Sequence, residues 1–187
     1  MLKIWKVLRK KEEEKDWWDK SCIDRWIARA QSNGVDIPKE VAEQWLFCFI
    51  DQYDFIRDYV DIDLTKVTFK LVGWSTESIL DIKPGELGHK GRFLPVIRDL
   101  KKIKGDINKS SYSHIESIKN SWVENGTWET PPIVLDSCHF PGFKSPYELV
   151  EGYTRLAWFN YYANSEDNIS NVKLSSKHEV WLMTLND

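Results

Sequence analysis

The chain has 187 residues, 42% of them hydrophobic, and its formal net charge is -3. This length is sufficient for one hydrophobic core with a sizeable extension, and the absence of any run of about eighteen apolar residues excludes a membrane-spanning helix. The mild acidity argues against a nucleic-acid-binding surface, because phosphate binding needs a clustered excess of Lys and Arg. We therefore expect a soluble globular protein without a membrane or nucleic-acid partner.

The beginning of the chain and its cysteines bear on its compartment. The segment Met1 to Leu8 is followed at once by the charged run from Arg9 to Asp16, which leaves no apolar stretch long enough for a secretory signal. The 3 cysteines are an odd number, which fits a reducing compartment better than a disulfide framework, and they lack the Cys-x-x-Cys spacing typical of metal sites. These features predict a cytoplasmic protein and no metal centre.

Two amphipathic helices are predicted in the first part of the chain. The first runs from Glu14 to Gln31, where aromatic and aliphatic side chains recur at helical spacing, and the second runs from Pro38 to about Tyr59. We expect them to pack as a hairpin and to form a helical extension on the core, residues 1–64, with Cys22 and Cys48 among the packed side chains. The same aromatic surface is also suited to binding a partner protein, and the pattern leaves both interpretations open.

Residues 65–187 are predicted to form one α/β (α+β) domain, in which helices flank a mixed sheet. Apolar runs of strand length alternate there with amphipathic helices. Strands are predicted near Val67, Ile133, Leu149 and Val180, and helices at Phe93–Ile103, Ser113–Val123 and Leu156–Tyr162. Glu77–Ile82 is a further apolar stretch. The strands at Ile133, Leu149 and Val180 are expected to share one sheet.

The segment from Tyr147 to Trp158 is the centre of the predicted site. A short apolar strand there runs through Gly152 directly into a helix. Gly152 allows a tight turn, and Thr154, Arg155 and the N–H groups of the first helical turn would then face one place. This geometry favours the binding of an anion.

Two stretches of sequence carry a family resemblance. Pro-Pro-Ile-Val-Leu at residues 131–135 is followed by Tyr-Glu-Leu-Val-Glu-Gly-Tyr-Thr-Arg-Leu at residues 147–156, and then by an apolar strand near the C-terminus. From near Ile79 onwards, the chain resembles the ParB/sulfiredoxin-like superfamily. In that superfamily the glycine-to-arginine turn binds the phosphates of a nucleotide. The resemblance therefore implies a phosphate cradle formed by Gly152, Thr154 and Arg155.

The chain also departs from the best-marked activities of that superfamily. Sulfiredoxins place a catalytic cysteine directly after the glycine, where this chain has Tyr153, so sulfinic acid reductase chemistry is not expected. The chromosome-partitioning members bind and hydrolyse CTP through an arginine-rich version of the turn and a later Glu-Asn-x-x-Arg motif, and neither is visible in this sequence. The resemblance thus implies a fold and a nucleotide pocket, and it assigns no activity.

Two carboxylates are candidates for chemistry beside the turn. Glu151 is placed to act as a catalytic base or to hold Mg²⁺ next to nucleotide phosphates, and in the alternative interpretation it caps the helix or pairs with Arg155. Asp136 ends a predicted strand and is the second carboxylate that could approach the same place. Two carboxylates, an arginine and a helix N-terminus would suit phosphoryl transfer if the fold brings them together. Whether the protein is an enzyme stays open.

A cysteine and a histidine, Cys138 and His139, are adjacent in the loop that follows Asp136. A thiol beside an imidazole is a candidate nucleophile. Residues adjacent in sequence seldom orient correctly on each other, however, so we expect a function that does not depend on cysteine.

Two classes of function remain after these considerations. The first is a protein that binds or hydrolyses a nucleotide at Glu151, Gly152, Thr154 and Arg155. The second is a bacterial interaction protein without catalysis, for example an immunity protein or antitoxin that blocks a toxin through an acidic or aromatic surface. The small size, the mild acidity and the departures from the catalytic motifs favour the second class, whereas the intact Glu-Gly-x-x-Arg turn favours the first.

Overall fold

The computed structural model describes residues 2–15, 19, 21–52, 59–84, 93–111, 116–140, 145–164 and 172–186. Within these ranges, helices lie at Leu2–Leu8 (α1), Ser21–Ser32 (α2), residues 39–49 (α3), Thr76–Leu80 (α4), Phe93–Lys102 (α5), Glu116–Asn125 (α6) and Tyr153–Asn164 (α7). Strands lie at Val67–Trp74 (β1), Ile133–Asp136 (β2), Tyr147–Glu151 (β3) and His178–Leu185 (β4). Short 3₁₀ turns include Leu64–Lys66 before β1 and Ser137–His139 after β2.

The four strands form one mixed sheet in the order β1-β4-β2-β3. Strand β4 pairs antiparallel with β1 and parallel with β2, and β2 pairs antiparallel with β3. The prediction that the strands at Ile133, Leu149 and Val180 share one sheet is confirmed. Strands β1 and β3 occupy the two edges.

Each face of the sheet is covered by its own hydrophobic cluster. Because side chains alternate along a strand, Ile133 and Leu135 of β2 face one side while Val134 faces the other. The first side packs on the N-terminal helices, including Trp26. The second side packs on α5 and α7, including Trp158. The architecture is therefore helix, sheet, helix, an α+β fold in three layers, in which the N-terminal helices pack on one face of the sheet. The domain division at residue 64 remains a prediction.

Helix α2 begins later than the sequence pattern predicted. The predicted start was Glu14, but the helix starts at Ser21, where the Asp19 carboxylate accepts hydrogen bonds from the Ser21 amide at 2.9 Å and hydroxyl at 2.7 Å. An aspartate placed in this way satisfies an amide at a helix N-terminus that has no partner within the helix. Glu14 instead belongs to a separate 3₁₀ turn, and Trp17 and Trp18 lie outside the described residues.

Helix α3 also differs from its prediction, which extended to Tyr59. The described helix ends at Phe49, and its middle turn, Ala42–Leu46, is π-helical. The wider turn rotates the apolar face, so that Leu46 and Ile50 are buried. Residues 53–58 lie outside the described part.

The two cysteines predicted to pack in the N-terminal core behave differently. Cys22 of α2 is buried, as predicted. Cys48 is exposed, and its prediction was wrong. The reason is the π-helical turn of α3, because one extra residue in the turn moves every later side chain to another side of the helix.

The remaining predicted helices and strands lie within a few residues of their predicted positions. Pro95 lies in the first turn of α5, as predicted. The apolar stretch Glu77–Ile82 contributes mainly to the helix α4, which Ser75 caps by accepting a hydrogen bond from the Ser78 amide at 3.4 Å. None of the helices in the described ranges combines the length and apolar character needed to span a membrane.

We expect His178, the first residue of β4, to make the stability of the fold depend on pH. Its ring is fully buried beside Phe159 and Trp128, and Nδ1 lies 2.9 Å from the Thr127 hydroxyl. Burial lowers the pKa of His178. Below about pH 6.5, the His178 imidazole binds a proton in the unfolded chain and stays neutral in the folded chain. The free energy of unfolding should therefore fall below that pH by up to about 1.4 kcal/mol per pH unit.

Urea unfolding at pH 7.5 and pH 5.5 measures this effect. The variant His178→Phe retains an aromatic ring in the aromatic cluster and removes the titrating group. It should therefore lose stability less steeply than the wild type on acidification. An equal loss in the two proteins would show that His178 does not cause the pH dependence.

Candidate functional site

The predicted strand, glycine and helix form the expected junction. Strand β3 ends at Glu151, and α7 begins at Tyr153. Gly152 between them has a φ of 111°, which side-chain-bearing residues rarely adopt. A Cβ atom at this position would lie 2.6 Å from Cβ of Pro132. Glycine is therefore required by both the backbone angle and the close approach of the chain before β2.

Arg155 is held by groups of the protein itself. Its Nη1 donates a hydrogen bond to the Thr130 carbonyl at 2.6 Å, and its Nη2 donates one to Gln44 Oε1 at 2.8 Å. The Glu151 carboxylate lies 4.0 Å from Nη2, and the Arg155 side chain is 16% exposed. The guanidinium thus joins the start of α7 to the loop before β2 and to helix α3.

Helix α3 supplies the polar groups on the other side of this contact. Gln44 lies in the π-helical turn, and its Nε2 donates to the Pro131 carbonyl at 3.0 Å while its Oε1 accepts from Arg155. Glu40, one turn earlier, accepts a hydrogen bond from the Trp181 indole at 3.2 Å. We refer to Glu40, Gln44, Glu151 and Arg155 as the Arg155 cluster. It fastens the N-terminal helical layer to one end of the sheet.

The Arg155 cluster carries a net negative charge. Burial lowers the pKa of Arg155, and the carboxylates of Glu151 and Glu40 act against this shift. Arginine keeps its proton in proteins, so the cluster contains one positive charge facing two carboxylates. An incoming phosphate would meet repulsion from both carboxylates.

The other residues of the predicted phosphate cradle lie at the junction of β3 and α7. Glu151 is 19% exposed at the end of β3, and Thr154 is half-buried in the first turn of α7. Tyr153 is buried, and its hydroxyl donates to the Leu149 carbonyl at 3.2 Å. The side chain that stands directly after the glycine therefore belongs to the hydrophobic core.

Asp136 does not join Glu151. In the antiparallel pair of β2 and β3, Ile133 is opposite Glu151 and Asp136 is opposite Tyr147. Three residues along β2 thus separate the two carboxylates, which is about 10 Å of extended chain. The structure brings Glu151 and Arg155 together at one end of the sheet and leaves Asp136 at the other.

Asp136 lies instead beside Cys138 and His139. The donor atoms of these three side chains lie within 4.8 Å of one another. A hydrogen bond with the Asp136 carboxylate raises the pKa of the Cys138 thiol, and burial and the charge of Asp136 act in the same direction. The thiolate that a nucleophile needs is thereby disfavoured.

The hydrogen-bond partners of Arg155 were not predicted from the sequence, whereas its pairing with Glu151 was one of the interpretations considered. Gln44 is 111 residues away in the chain, and Thr130 contributes only its backbone carbonyl. Every residue has a backbone carbonyl, so the residue type at position 130 does not show that its carbonyl binds Arg155. The one available signal was Gln44 itself, a polar residue directly before the buried Trp45.

The outer edge of β1 is a second candidate site, because backbone groups of this edge strand face away from the sheet. The Asn186 amide donates to the Lys66 carbonyl at 2.7 Å, so these opposed residues form a hydrogen-bonded pair. Such pairs alternate along an antiparallel ladder, which directs the backbone groups of Phe69, Leu71 and Gly73 away from β4. Among the described residues, no strand pairs with this edge, and the Leu71 side chain is 45% exposed.

A groove of about 630 Å³ lies beside the first half of β1. Residues of α2, of the segment before α3 and of β1 line it, and its charged members are Asp24, Asp36 and Lys39. Lys39 contacts Asp24 at 2.6 Å, which leaves Asp36 as the excess charge. Ile27 and Phe69 contribute apolar surface. The groove is therefore partly apolar and mildly acidic.

In comparisons with known proteins, the chain matches no family model, no curated protein and no solved structure. A function can therefore be inferred only from the geometry of the chain's own residues.

Proposed function

We propose that this protein is a non-enzymatic interaction protein that binds a partner protein, in the manner of a toxin-neutralising immunity protein or antitoxin. The observation that carries the proposal is that the Arg155 side chain is already bound by groups of the protein. Its guanidinium donates to Thr130 and Gln44 and faces two carboxylates. A phosphate could bind there only by displacing these hydrogen bonds and approaching like charges, and both steps cost free energy. A structural role for Arg155 accounts for its contacts without any ligand.

The surface that suits a protein partner is the outer edge of β1 with its groove. Phe69, Leu71 and Gly73 direct backbone donors and acceptors outwards over a length that a partner strand can match. Strand addition satisfies these groups, and the groove beside them accepts side chains of the added strand. We propose that the partner contributes an extended segment that joins the sheet as a fifth strand.

The groove also indicates the chemistry of that segment. Apolar side chains at alternate positions would pack near Ile27 and Phe69, because alternate side chains of a strand point to one face. The excess negative charge of Asp36 favours a lysine or arginine near the start of β1. The expected ligand is therefore an extended, mildly basic segment, as the acidic surface of an immunity protein would require.

Leu71→Pro tests this mode of binding. The Leu71 amide points away from β4, so proline removes an outward donor and leaves the β1-β4 ladder intact. The protein would be co-expressed with the product of the neighbouring gene, and complex formation would be measured by size-exclusion chromatography and calorimetry. We expect Leu71→Pro to weaken the complex by about tenfold or more, which corresponds to about 1.4 kcal/mol.

Leu94→Lys is the matched control, because Leu94 is 60% exposed on α5, away from β1. It should leave the affinity unchanged. A complex that survives Leu71→Pro at full affinity would place the partner on another surface. Circular dichroism of Leu71→Pro checks that the sheet is retained.

A nucleotide-binding protein with a ParB/sulfiredoxin-like arrangement is the second candidate. The specific observation in its favour is that α7 starts directly after the Gly152 turn, because the first N–H groups of a helix attract anions. In this proposal Gly152, Thr154 and Arg155 bind the phosphates, and Mg²⁺ accompanies them at Glu151. It requires Arg155 to exchange its contacts with Gln44 and Thr130 for the ligand.

Calorimetric titration with CTP, ATP, ADP and inorganic phosphate separates the two candidates. The interaction protein should bind none of them at millimolar concentration. Binding that weakens about tenfold in Arg155→Ala and is unchanged in Arg98→Ala, on the basic helix α5, would replace the interaction proposal by the nucleotide proposal.

A further inference from the structure

We propose that Asp136, Cys138 and His139 form a binding site for one Zn²⁺ ion at the end of β2. Their donor atoms, a carboxylate oxygen, a thiol sulfur and an imidazole nitrogen, lie within 4.8 Å of one another. Zn²⁺ takes these three kinds of donor in proteins. The site is at the opposite end of β2 from Ile133, which pairs with Glu151, and it does not depend on the function proposed above.

The local backbone brings the three side chains together. Asp136 precedes the 3₁₀ turn Ser137–His139, and its Oδ1 accepts a hydrogen bond from the Cys138 amide at 3.1 Å. Asp136 is the N-cap of this turn, and its carboxylate lies within 4.8 Å of a donor nitrogen of His139. The Cys138 sulfur and the nearest Asp136 carboxylate oxygen lie within 4.8 Å of each other. Because all three donors come from one turn, little chain entropy is lost when an ion gathers them.

The turn is held in place by hydrogen bonds and by the packing of Phe140. The Ser137 amide donates to the Pro146 carbonyl at 3.0 Å, and the Phe140 amide donates to the Ser137 carbonyl at 3.1 Å. Phe140 is 4% exposed and packs in the cluster that includes Leu135. The backbone under the three donors is therefore positioned before an ion arrives, as a metal site requires.

The distances and the donor types both suit zinc. At bonds of about 2.0–2.3 Å in a tetrahedral arrangement, ligand atoms lie about 3.3–3.8 Å apart, so contraction by about 1 Å through side-chain rotation completes the site. Cys138 is exposed and free to make this rotation. Mg²⁺ and Ca²⁺ prefer an all-oxygen shell, so the sulfur and nitrogen donors select a transition-type cation.

Ion binding changes the bonding of Cys138. The S–H bond breaks, a Zn–S bond forms, and the proton leaves to the solvent. Three protein ligands leave the fourth tetrahedral position for a water molecule or for a side chain of a partner. The site is thus an open one, in contrast to the closed four-ligand sites that serve only structure.

Cobalt substitution tests the thiolate ligand directly. Co²⁺ takes the place of Zn²⁺, and a thiolate bound to it gives a charge-transfer absorption in the near ultraviolet. We expect this absorption in the wild type and its loss in Cys138→Ser. Cys48→Ser is the matched control, because Cys48 is also an exposed free cysteine but lies on α3, and this variant should retain the absorption.

Zinc affinity measured by competition with a chromogenic chelator tests the other two ligands. Asp136→Asn keeps an acceptor for the Cys138 amide, so the turn should fold, and His139→Ala changes a half-buried ring at the surface. Each variant should bind Zn²⁺ about tenfold more weakly or worse, with thermal unfolding as the check on folding.

Three results would overturn the proposal. The first is a cobalt absorption that persists in Cys138→Ser. The second is a wild type that binds Zn²⁺ no more tightly than Cys138→Ser. The third is unchanged affinity in both Asp136→Asn and His139→Ala, which would mean adventitious binding to a thiolate only.

Discussion

Replacing Arg29 with alanine should lower the free energy of unfolding by about 3–5 kcal/mol, because the substitution leaves a buried carboxylate without its partner. Arg29 lies on α2 and binds both carboxylate oxygens of Glu14, with Nε 3.0 Å from Oε1. It also donates to the carbonyl of Val7 in the last turn of α1 and to that of Arg9 just after the helix. The Glu14 side chain is 3% exposed and that of Arg29 is 13% exposed. One guanidinium therefore joins α1, the 3₁₀ turn at Glu14 and α2.

The pKa of Glu14 supports this description of the pair. Burial raises the pKa, but hydrogen bonds from Arg29 and the Lys11 amide outweigh it, so the pKa of Glu14 is lowered. A lowered carboxylate pKa stabilises the fold above the unfolded value of about 4.3, and this contribution is lost as the pH falls through the folded value. The ion pair should therefore contribute fully at neutral pH.

Chemical denaturation at pH 7 measures the effect of Arg29→Ala. Lys39→Ala is the matched control, because it removes the pair with Asp24, whose side chains are 53% and 59% exposed, and should cost less than about 1 kcal/mol. The double variant Glu14→Leu with Arg29→Met should be more stable than Arg29→Ala, since no charge is then left unpaired. If Arg29→Ala were no more destabilising than Lys39→Ala, the Glu14 contact would not be a buried ion pair in solution.

The second large effect is expected for Gly152→Ala, at about 2–5 kcal/mol. A side chain at the φ of 111° costs about 1–2 kcal/mol in backbone strain, and the clash with Pro132 adds about 1–3 kcal/mol. The new Cβ would also lie 3.2 Å from Nη2 of Arg155. We therefore expect the Arg155 cluster to loosen together with the β2-β3 end of the sheet.

Gly34→Ala separates the two costs of this substitution. Gly34 also has a positive φ, of 79°, but its nearest neighbour to a new Cβ is Thr65 Cγ2 at 3.9 Å, which is an ordinary contact. Only the strain of about 1–2 kcal/mol should remain in Gly34→Ala. Equal losses in the two variants, measured by urea unfolding, would mean that Pro132 yields and the close approach is unimportant.

The Arg155 cluster, the Asp136 site and the outer edge of β1 are three separate parts of one sheet. The Arg155 cluster and the Asp136 site lie at opposite ends of β2, and the outer edge of β1 lies two strands away from it. Each can therefore be altered without the others. The variants Leu71→Pro and Cys138→Ser should therefore act independently, the first on partner binding and the second on metal binding.

The local pattern of residues was sufficient to predict most of the elements. Alternation predicted β1, helical spacing predicted α5, and the glycine between apolar stretches predicted the junction of β3 and α7. These features depend on which residues of one short segment must be buried, and that information is contained in the segment itself. The shared sheet of β2, β3 and β4 followed from the same apolar runs.

The tertiary structure alone decided which groups meet. The pairing register of β2 and β3 separates Asp136 from Glu151, and nothing in either segment specifies that register. Arg155 contacts Gln44 because helix α3 packs on the sheet, and the π-helical turn sets the direction of Gln44. Sequence therefore determined the elements and the glycine turn of this protein. The partners of its charged groups depended on long-range packing, which local periodicity does not encode.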